Sequence, residues 1–387
     1  MTSRTVALLG STGSIGTQAI DVIERNPDSF DVVAIAAGGR DADAVIAQAR
    51  ALSVRMVAVA DAAAAERVAA ALPGVDVRAG ADGVVAVAGC GADVVLNGMT
   101  GSVGLRPTLA ALNVGSTLAL ANKESLVAGG ALVKAAMLRP DQIVPVDSEH
   151  SALAQALLGG THEEVKRLVV TASGGAFRGK TRAELTDVSP QQALKHPNWD
   201  MGPVVTINSA SMMNKALEVI EAHLLFDIPM DRIDVVVHAQ SIVHSMVEFI
   251  DGSTLAQVSA PDMRLPIALG LTWPARVAGA IDGMDWTQAQ QWTFEPLDEV
   301  AFPAVQLARE AVAASALHPA VFNAANEECV AAFVAGSLPF LGIVDTVRSV
   351  VEAYEAPAEI SLEAVDAAEA WARHQAAAVI AARASRQ

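Results

Sequence analysis

Through the first 146 residues, short apolar runs alternate with longer stretches whose apolar positions recur at helical spacing. The runs are TVALLG, DVVAIAA, RMVAVA, VDVRAG, ADVVLNGM, TLALA and QIVPV, and Asp41–Leu52 typifies the helical stretches between them. Near-continuous Val/Ala/Leu strands, each followed by a helix, predict a parallel sheet covered on both faces. From about residue 147 the pattern changes. RLVVTAS, VVTI, DVVVHA, HSMVEFI and TLAQVS read as strands, some joined by short turns such as Asp251-Gly252, which predicts a mixed or antiparallel sheet in an α+β arrangement. Residues 276–300 carry Gly, Pro and two Trp and read as a connector; from residue 301 the chain is Ala- and Glu-rich with helical periodicity. The expected class is α/β, divided at 1–146, 147–275, 276–300 and 301–387.

The first strand runs into GSTGSIG, with glycines at positions 10, 13 and 16, and a helix begins at once. Glycines there let backbone approach a pyrophosphate whose charge the helix N-terminus favours. GxxGxxG departs from the common GxGxxG and also suits an ordinary tight turn; its place after the first strand favours the nucleotide reading. The first domain is thus expected to be Rossmann-like. The second strand ends in Gly38-Gly39-Arg40, where an acidic residue would take the ribose 2′-hydroxyl of NAD. Arg40 suits a 2′-phosphate, so NADP is expected, although a solvated arginine fits as well. The strand TLALA ends in Asn122-Lys123-Glu124, at the carboxyl edge where ligands of parallel sheets bind.

The segment PVDSEHSA places Asp147 and Glu149 two residues apart. In an extended backbone they point to one side and repel, a conflict that a cation, a shared proton or water relieves. The segment Ser209–Phe226 reads as a helix with Met212, Met213, Ala216, Leu217 and Ile220 on its apolar face and Asn214, Lys215 and Glu218 off it. Glu218 is either a solvent-facing residue or a third oxygen ligand, and an all-oxygen set selects Mg²⁺ or Mn²⁺ over Zn²⁺. Ser173, Ser209, Asn214 and Lys215 would make a phosphate cradle of donors and one point charge. Gly174–Gly202, bounded by glycines and carrying His196, Trp199 and Met201, reads as a mobile flap whose aromatic can exclude water from a bound substrate. His196 and Trp199 also suit purely structural roles. His150 reads as structural or as a support behind the site's ligands, and His238 and His244, in strand-like runs, as buried hydrogen-bonding residues.

Composition narrows the field. With 52% hydrophobic and 18% charged residues over 387 positions, the chain is globular. A net charge of −17 argues against nucleic acid or an anionic membrane as a partner. The two cysteines, Cys90 and Cys329, form no CxxC pair, which fits a reducing compartment; with no leader or spanning segment expected, the location read is cytoplasmic.

Taken together, GSTGSIG, ANKESLV, PVDSEHSA, TASGG, HPNWDMG, INSASMMNKALEVIEAHLLF, QSIVHSMV, PDMRLPIA and NAANEECVAAF resemble, in order and nearly end to end, the 1-deoxy-D-xylulose 5-phosphate reductoisomerase family. The resemblance implies an NADPH- and Mn²⁺- or Mg²⁺-dependent oxidoreductase. Its reaction would rearrange 1-deoxy-D-xylulose 5-phosphate by retro-aldol cleavage of C3–C4 and aldol re-joining, then reduce the aldehyde to 2-C-methyl-D-erythritol 4-phosphate for isoprenoid precursors. It implies a metal on Asp147, Glu149 and Glu218. Substrate contacts would come from Lys123, Ser148, Glu149, Ser173, His196, Trp199, Ser209, Asn214, Lys215 and Glu218, with Lys123, Glu149 and His196 in catalytic roles. NADPH contacts would come from Thr12, Gly13, Ser14, Ile15, Gly38, Arg40, Asn122, Glu124 and Gly202. It also implies a catalytic central domain and a homodimer. Ala176 and Ala239 stand where the family usually has Pro. The rival readings are a metal-dependent NADP dehydrogenase of another phosphorylated polyol and a non-catalytic NADP-sensing module.

Overall fold

The predicted alternation of strand and helix produces a seven-stranded sheet. Its strands are β1 (Arg4–Leu9), β2 (Phe30–Ala37), β3 (Met56–Val59), β4 (Asp76–Ala79), β5 (Val94–Asn97), β6 (Thr117–Leu120) and β7 (Ile143–Pro145). All pairings are parallel, in the order β4-β3-β2-β1-β5-β6-β7. The structure is a computed structural model and describes residues 3–199 and 201–384. Residue 200, inside the predicted flap, lies outside the described residues.

The chain divides into two compact units. The first comprises Met1–Ser125, Val133–Ser151 and Asp262–Gly283, and the parallel sheet is its centre. Central strands such as β1 and β5 are buried throughout their inner residues, as a sheet covered on both faces requires. Residues 262–283, which the sequence reading shared between the central domain and the connector, supply one layer of cover. Helix Arg264–Thr272 places Ile267, Ala268 and Leu271 in the core beside Val6, Leu96 and Val146. It comes close because Gly270 lacks a Cβ, which would stand 2.9 Å from Val146 Cγ2 and 3.1 Å from Ala119 Cβ. Arg4 fastens the helix end, donating to the Leu271 and Trp273 carbonyls at 3.2 and 3.1 Å.

The second unit comprises Leu126–Leu132, Ala152–Pro261 and Met284–Gln387. Its sheet contains β8 (Val165–Ala172), β9 (Ile233–Val237), β10 (Val243–Phe249), β11 (Thr254–Val258) and β12 (Glu295–Pro296), in the order β11-β10-β8-β9-β12. Only β8–β9 is parallel, so the expected mixed sheet forms, and Asp251-Gly252 turns the β10–β11 hairpin with Gly252 at φ +89°. VVTI is not a strand. Gly202 and Pro203 start a helix, Pro203–Ala210, because proline's fixed φ suits the first helical position and Ile207 and Ala210 bury on one side. Four helices follow the connector: Ala304–Ala314, His318–Val334, Phe340–Glu352 and Leu362–Ala384.

Helix Met213–Phe226 lies between two apolar clusters of this unit. Val219 and Ala222 join the sheet residues Leu168, Val170 and Val247, while Ala216, Leu217 and Ile220 join Leu307 and Ala308 of the C-terminal helices. A helix covered all round buries its polar positions too. Lys215 (4%), Glu218 (1%) and Glu221 (0%) are accordingly almost inaccessible, so Glu218 is not a solvent-facing residue. The expected single helix over Ser209–Phe226 breaks at Met212, which adopts φ +62°. Among the described residues no helix is long and apolar enough to cross a membrane.

Candidate active site

In the first unit the chain runs outward from β1 through β4 and returns to β5 on the other side of β1, so a ligand crevice opens at the carboxyl ends of β1 and β5. The glycine loop occupies that point. Gly10 has φ +80°, and a Cβ on it would lie 2.8 Å from the Gly98 carbonyl oxygen in the loop after β5. A Cβ on Gly16 would lie 2.5 Å from Ser11 Cα, so that glycine permits the helix to start directly on the strand. Gly13 is the N-cap of helix Ser14–Glu24 and offers no side-chain cap. Its first-turn N–H groups are therefore available to an anionic ligand, with no side-chain capping oxygen on them. Gly13 and Ser14 are exposed, Thr12 and Ile15 half-buried, and Ile15 touches the space beside Gly98. Gly38 and Arg40 are exposed at the end of the neighbouring strand β2. This donor set fits a dinucleotide.

Asn122 is wholly buried and caps helix Lys123–Ala136 by accepting from the Ser125 N–H at 3.0 Å. Its amide donates to the Met99 and Gly101 carbonyls at 2.8 Å each, tying the loops after β5 and β6 together. Its side chain is thus structural, and Glu124 Oε2 accepts from it at 3.3 Å.

Asp147 and Glu149 do not sit on an extended strand. β7 ends at Pro145, the Asp147 carbonyl accepts the first helical N–H from Ser151 at 2.8 Å, and Glu149 lies in the first turn of helix Ser148–Leu157. The period-two reading fails because the extended backbone ends at Asp147 and Ser148 already opens a helix. Burial opposes charge on Asp147, yet the Lys123 ammonium that pairs with it, with His150 Nδ1 at 3.7 Å, holds its carboxyl well below the usual carboxylate range. The Ser148 hydroxyl donates to Glu149. His150 is fully buried.

In the second unit β8 delivers Ser173 to a turn in which Gly174 and Gly175 have φ +83° and +62°. A Cβ on Gly175 would stand 2.5 Å from the Ser209 carbonyl oxygen, so only glycine lets this turn meet helix Pro203–Ala210. His196 Nδ1 accepts from the Asn198 and Trp199 N–H groups at 3.1 and 3.0 Å. Nδ1 therefore carries no proton, and Nε2–H donates to Ser173 Oγ at 3.0 Å. Burial lowers the His196 pKa and favours the same neutral ring. Ser173 Oγ also accepts from the Gly175 N–H at 3.2 Å, which leaves its own proton for an external acceptor.

Beyond Met212, Glu218 accepts from the amide of Asn214 and pairs with Lys215. Trp199 stands edge-on to His244 at 6.3 Å; burial first, and lesser charge effects that include Lys215, lower the pKa of that histidine. His238 is buried, receives the Ile242 and Val243 N–H groups at 3.2 and 3.1 Å, and bonds the Thr293 carbonyl, so both strand histidines are hydrogen-bonded as expected. A shallow cleft of about 490 Å³ is lined by Lys195, His196, Asn198, Trp199, Met201 and Thr206. The sequence reading did not single out Asn198, which donates to the Ala239 carbonyl and Ser241 Oγ at 2.6 and 2.9 Å and anchors the flap. It also missed buried Glu221, signalled only by its spacing of three from Glu218.

Residues 6–130 match the 1-deoxy-D-xylulose 5-phosphate reductoisomerase family, 143–226 its C-terminal domain, and 258–375 the DXP reductoisomerase C-terminal domain. A protein of that name from Beutenbergia cavernae is 62% identical, with all of both chains covered. The chain belongs to the 1-deoxy-D-xylulose 5-phosphate reductoisomerase family. Among solved structures, the Zymomonas mobilis reductoisomerase in complex with NADPH superposes with a TM-score of 0.91 at 42% identity, covering 98% of this chain and 99% of that one. A reductoisomerase in complex with NADPH, fosmidomycin and magnesium gives 0.89 at 33%, covering 97% and 98%. At the two positions where the resemblance leads one to expect Pro, Ala239 offers its carbonyl to Asn198 and Ala176 sits in the turn Gly175–Phe177.

Proposed function

We propose that this chain converts 1-deoxy-D-xylulose 5-phosphate to 2-C-methyl-D-erythritol 4-phosphate, using NADPH and Mn²⁺ or Mg²⁺. What carries the reading is a dinucleotide loop in the same chain as two carboxylates each held by its own lysine: partly buried Asp147 by Lys123 and buried Glu218 by Lys215. Oxygen donors without thiolate or paired imidazole suit a hard divalent ion. Residues 1–146 would bind NADPH through Thr12, Gly13, Ser14, Ile15, Gly38, Arg40 and Glu124, joined by Gly202, with buried Asn122 holding the loops after β5 and β6 in place. Residues 147–275 would bind metal and substrate beneath the flap 174–202, and 301–387 would support them. Asp147, Glu149 and Glu218 would hold the cation, with Ser148 beside it. When bound, the cation supplies stabilisation of negative charge on the substrate oxygens and NADPH supplies the hydride.

The chain's own groups do the rest. Ser173, Ser209, Asn214 and Lys215 grip the phosphate, and this remote binding keeps the flap closed, with Trp199 excluding water. His196 acts as a donor through Nε2–H and not as a base. The C4 hydroxyl proton passes to the Glu149 carboxylate while C3–C4 breaks and the skeleton re-joins, and the Lys123 ammonium beside Asp147 stabilises negative charge on the substrate. The test follows NADPH oxidation with 1-deoxy-D-xylulose 5-phosphate, with and without chelator and in Glu218→Gln. Metal-dependent turnover that collapses in the variant supports the reading. Metal-independent turnover removes the carboxylate role, and NADPH binding without turnover favours a sensing module. We further propose a cytoplasmic homodimer; a monomeric mass by light scattering at working concentration would contradict the assembly.

A further inference from the structure

We propose that Asn326, in the C-terminal helical region, is a positioning residue for the phosphate cradle: through Asn208 it fixes the rotation of helix Pro203–Ala210, and with it Ser209. The inference rests on the reading of Ser209 as a phosphate ligand. The helix has only two turns, starts at exposed Gly202 without a side-chain cap, and ends at the left-handed Met212. A helix this short takes its orientation from tertiary contacts. Its apolar contacts, Ile207 and Ala210, are non-directional. Asn208 makes the directional one: its Oδ1 accepts from Asn326 Nδ2 at 3.0 Å, across 118 residues of sequence and with both residues buried.

Asn326 is poorly explained as a core residue. It sits in helix His318–Val334 among Phe322, Ala325, Cys329 and Val330. Its Oδ1 is buried without a hydrogen-bond partner among the described residues. An unpaired buried acceptor disfavours the fold, and leucine would fill the space without that cost. Asn323, one turn earlier and equally buried, differs in using its amide on Glu327 of its own helix at 3.0 Å. The Asn326 contact instead reaches the residue next to Ser209. Neighbouring helical side chains are separated by about 100° of rotation, so a rotation that loosens Asn208 redirects the Ser209 hydroxyl. The Ser209 carbonyl abuts Gly175 beside Ser173 and accepts from Met212 N–H at 3.2 Å, where the chain turns toward Asn214 and Lys215. A shift at Asn208 therefore spreads to every member of the cradle.

The experiment compares Asn326→Leu, Asn323→Leu and Asn208→Ala with wild type by steady-state kinetics, and titrates each with inorganic phosphate by calorimetry. Thermal melts of each variant confirm folding. Asn326→Leu and Asn208→Ala are expected to raise KM for the phosphorylated substrate and the phosphate Kd by roughly tenfold, within the range that sub-ångström misplacement produces. KM for NADPH should be unchanged, and the double variant should be no worse than either single one. Asn323→Leu should lower Tm alone. If Asn326→Leu and Asn208→Ala leave substrate KM and phosphate Kd within twofold of wild type, or if Asn323→Leu matches them, the positioning role is refuted. Should Asn326→Leu not fold, Asn208→Ala decides. A wild-type protein that binds phosphate but does not turn over the ketose would refute the proposed activity and leave the phosphate titration to test the positioning.

Discussion

Gly175→Ala is expected to damage the phosphate cradle as well as the fold. The position has φ +62°, where an L-residue costs about 1–2 kcal/mol. The added methyl would stand 2.5 Å from the Ser209 carbonyl oxygen, 2.8 Å from its carbon and 2.9 Å from Ala210 Cα, all backbone atoms that cannot rotate away. Reaching the 3.4 Å of ordinary contact requires the turn and helix Pro203–Ala210 to part by about 0.9 Å. Overpacking of this kind costs about 1–3 kcal/mol, so the total is about 2–5 kcal/mol. Gly179 supplies the control: its φ is +79°, but nothing lies within 4 Å of a built Cβ. Gly179→Ala should therefore lose about 1–2 kcal/mol by urea denaturation and keep its kinetics. Gly175→Ala should lose a further 1–3 kcal/mol or so, and its kcat/KM should fall by about 10²-fold because Ser173 and Ser209 no longer converge. Equal stabilities for the two variants, or a kcat/KM for Gly175→Ala within threefold of wild type, would falsify the steric account.

Three further outcomes follow from the site. Because burial lowers the His196 pKa and its Nδ1 accepts two N–H groups, the flap's contribution is complete above the ordinary histidine value near pH 6.5. It declines as pH falls from there toward the lowered folded value, since the open flap binds the proton first; substrate KM should rise over that window, and the rise should vanish in His196→Asn. Gly16→Ala, whose Cβ would lie 2.5 Å from Ser11 Cα, should weaken NADPH binding about tenfold or more by fluorescence titration while leaving inorganic phosphate affinity intact. Lys123→Met strands the Asp147 carboxylate, so we expect a loss of about 3–5 kcal/mol in denaturation together with loss of turnover; a fully stable variant would show that the pair contributes nothing.

The parallel sheet and its glycine loop were legible because both depend on local pattern: strand, turn and helix adjoin in sequence. The same is true of Asp41–Leu52, whose helix, Ala42–Ala51, starts and stops within a residue of the pattern. Elsewhere tertiary context overrode local preference. VVTI has β-branched residues typical of strands, but Pro203 and the burial of Ile207 made it helical. Asp147 and Glu149 read as extended because the apolar run gave no sign that Ser148 opens a helix. Glu218 lies off the apolar face of a helical wheel and reads as either solvent-facing or a ligand; its burial follows from helix Met213–Phe226 packing between two apolar clusters, which the local pattern does not show. Asn326 had no local signal, since its partner is 118 residues away.

The first unit is not contiguous along the chain, and this matters while the protein is being made. Its sheet is complete once Pro145 has been synthesised, but the cover supplied by Ile267, Ala268 and Leu271 emerges only after the intervening strands β8 to β11. At ~5–20 residues per second, the part of one apolar face that helix Arg264–Thr272 covers stays open on the ribosome for about 6–25 seconds. During that interval the exposed Val and Leu of β1, β5 and β6 would invite chaperone capture. Arrest of translation near residue 261 should therefore yield an aggregation-prone nascent chain, whereas arrest beyond residue 283 should yield a protease-resistant nucleotide-binding unit.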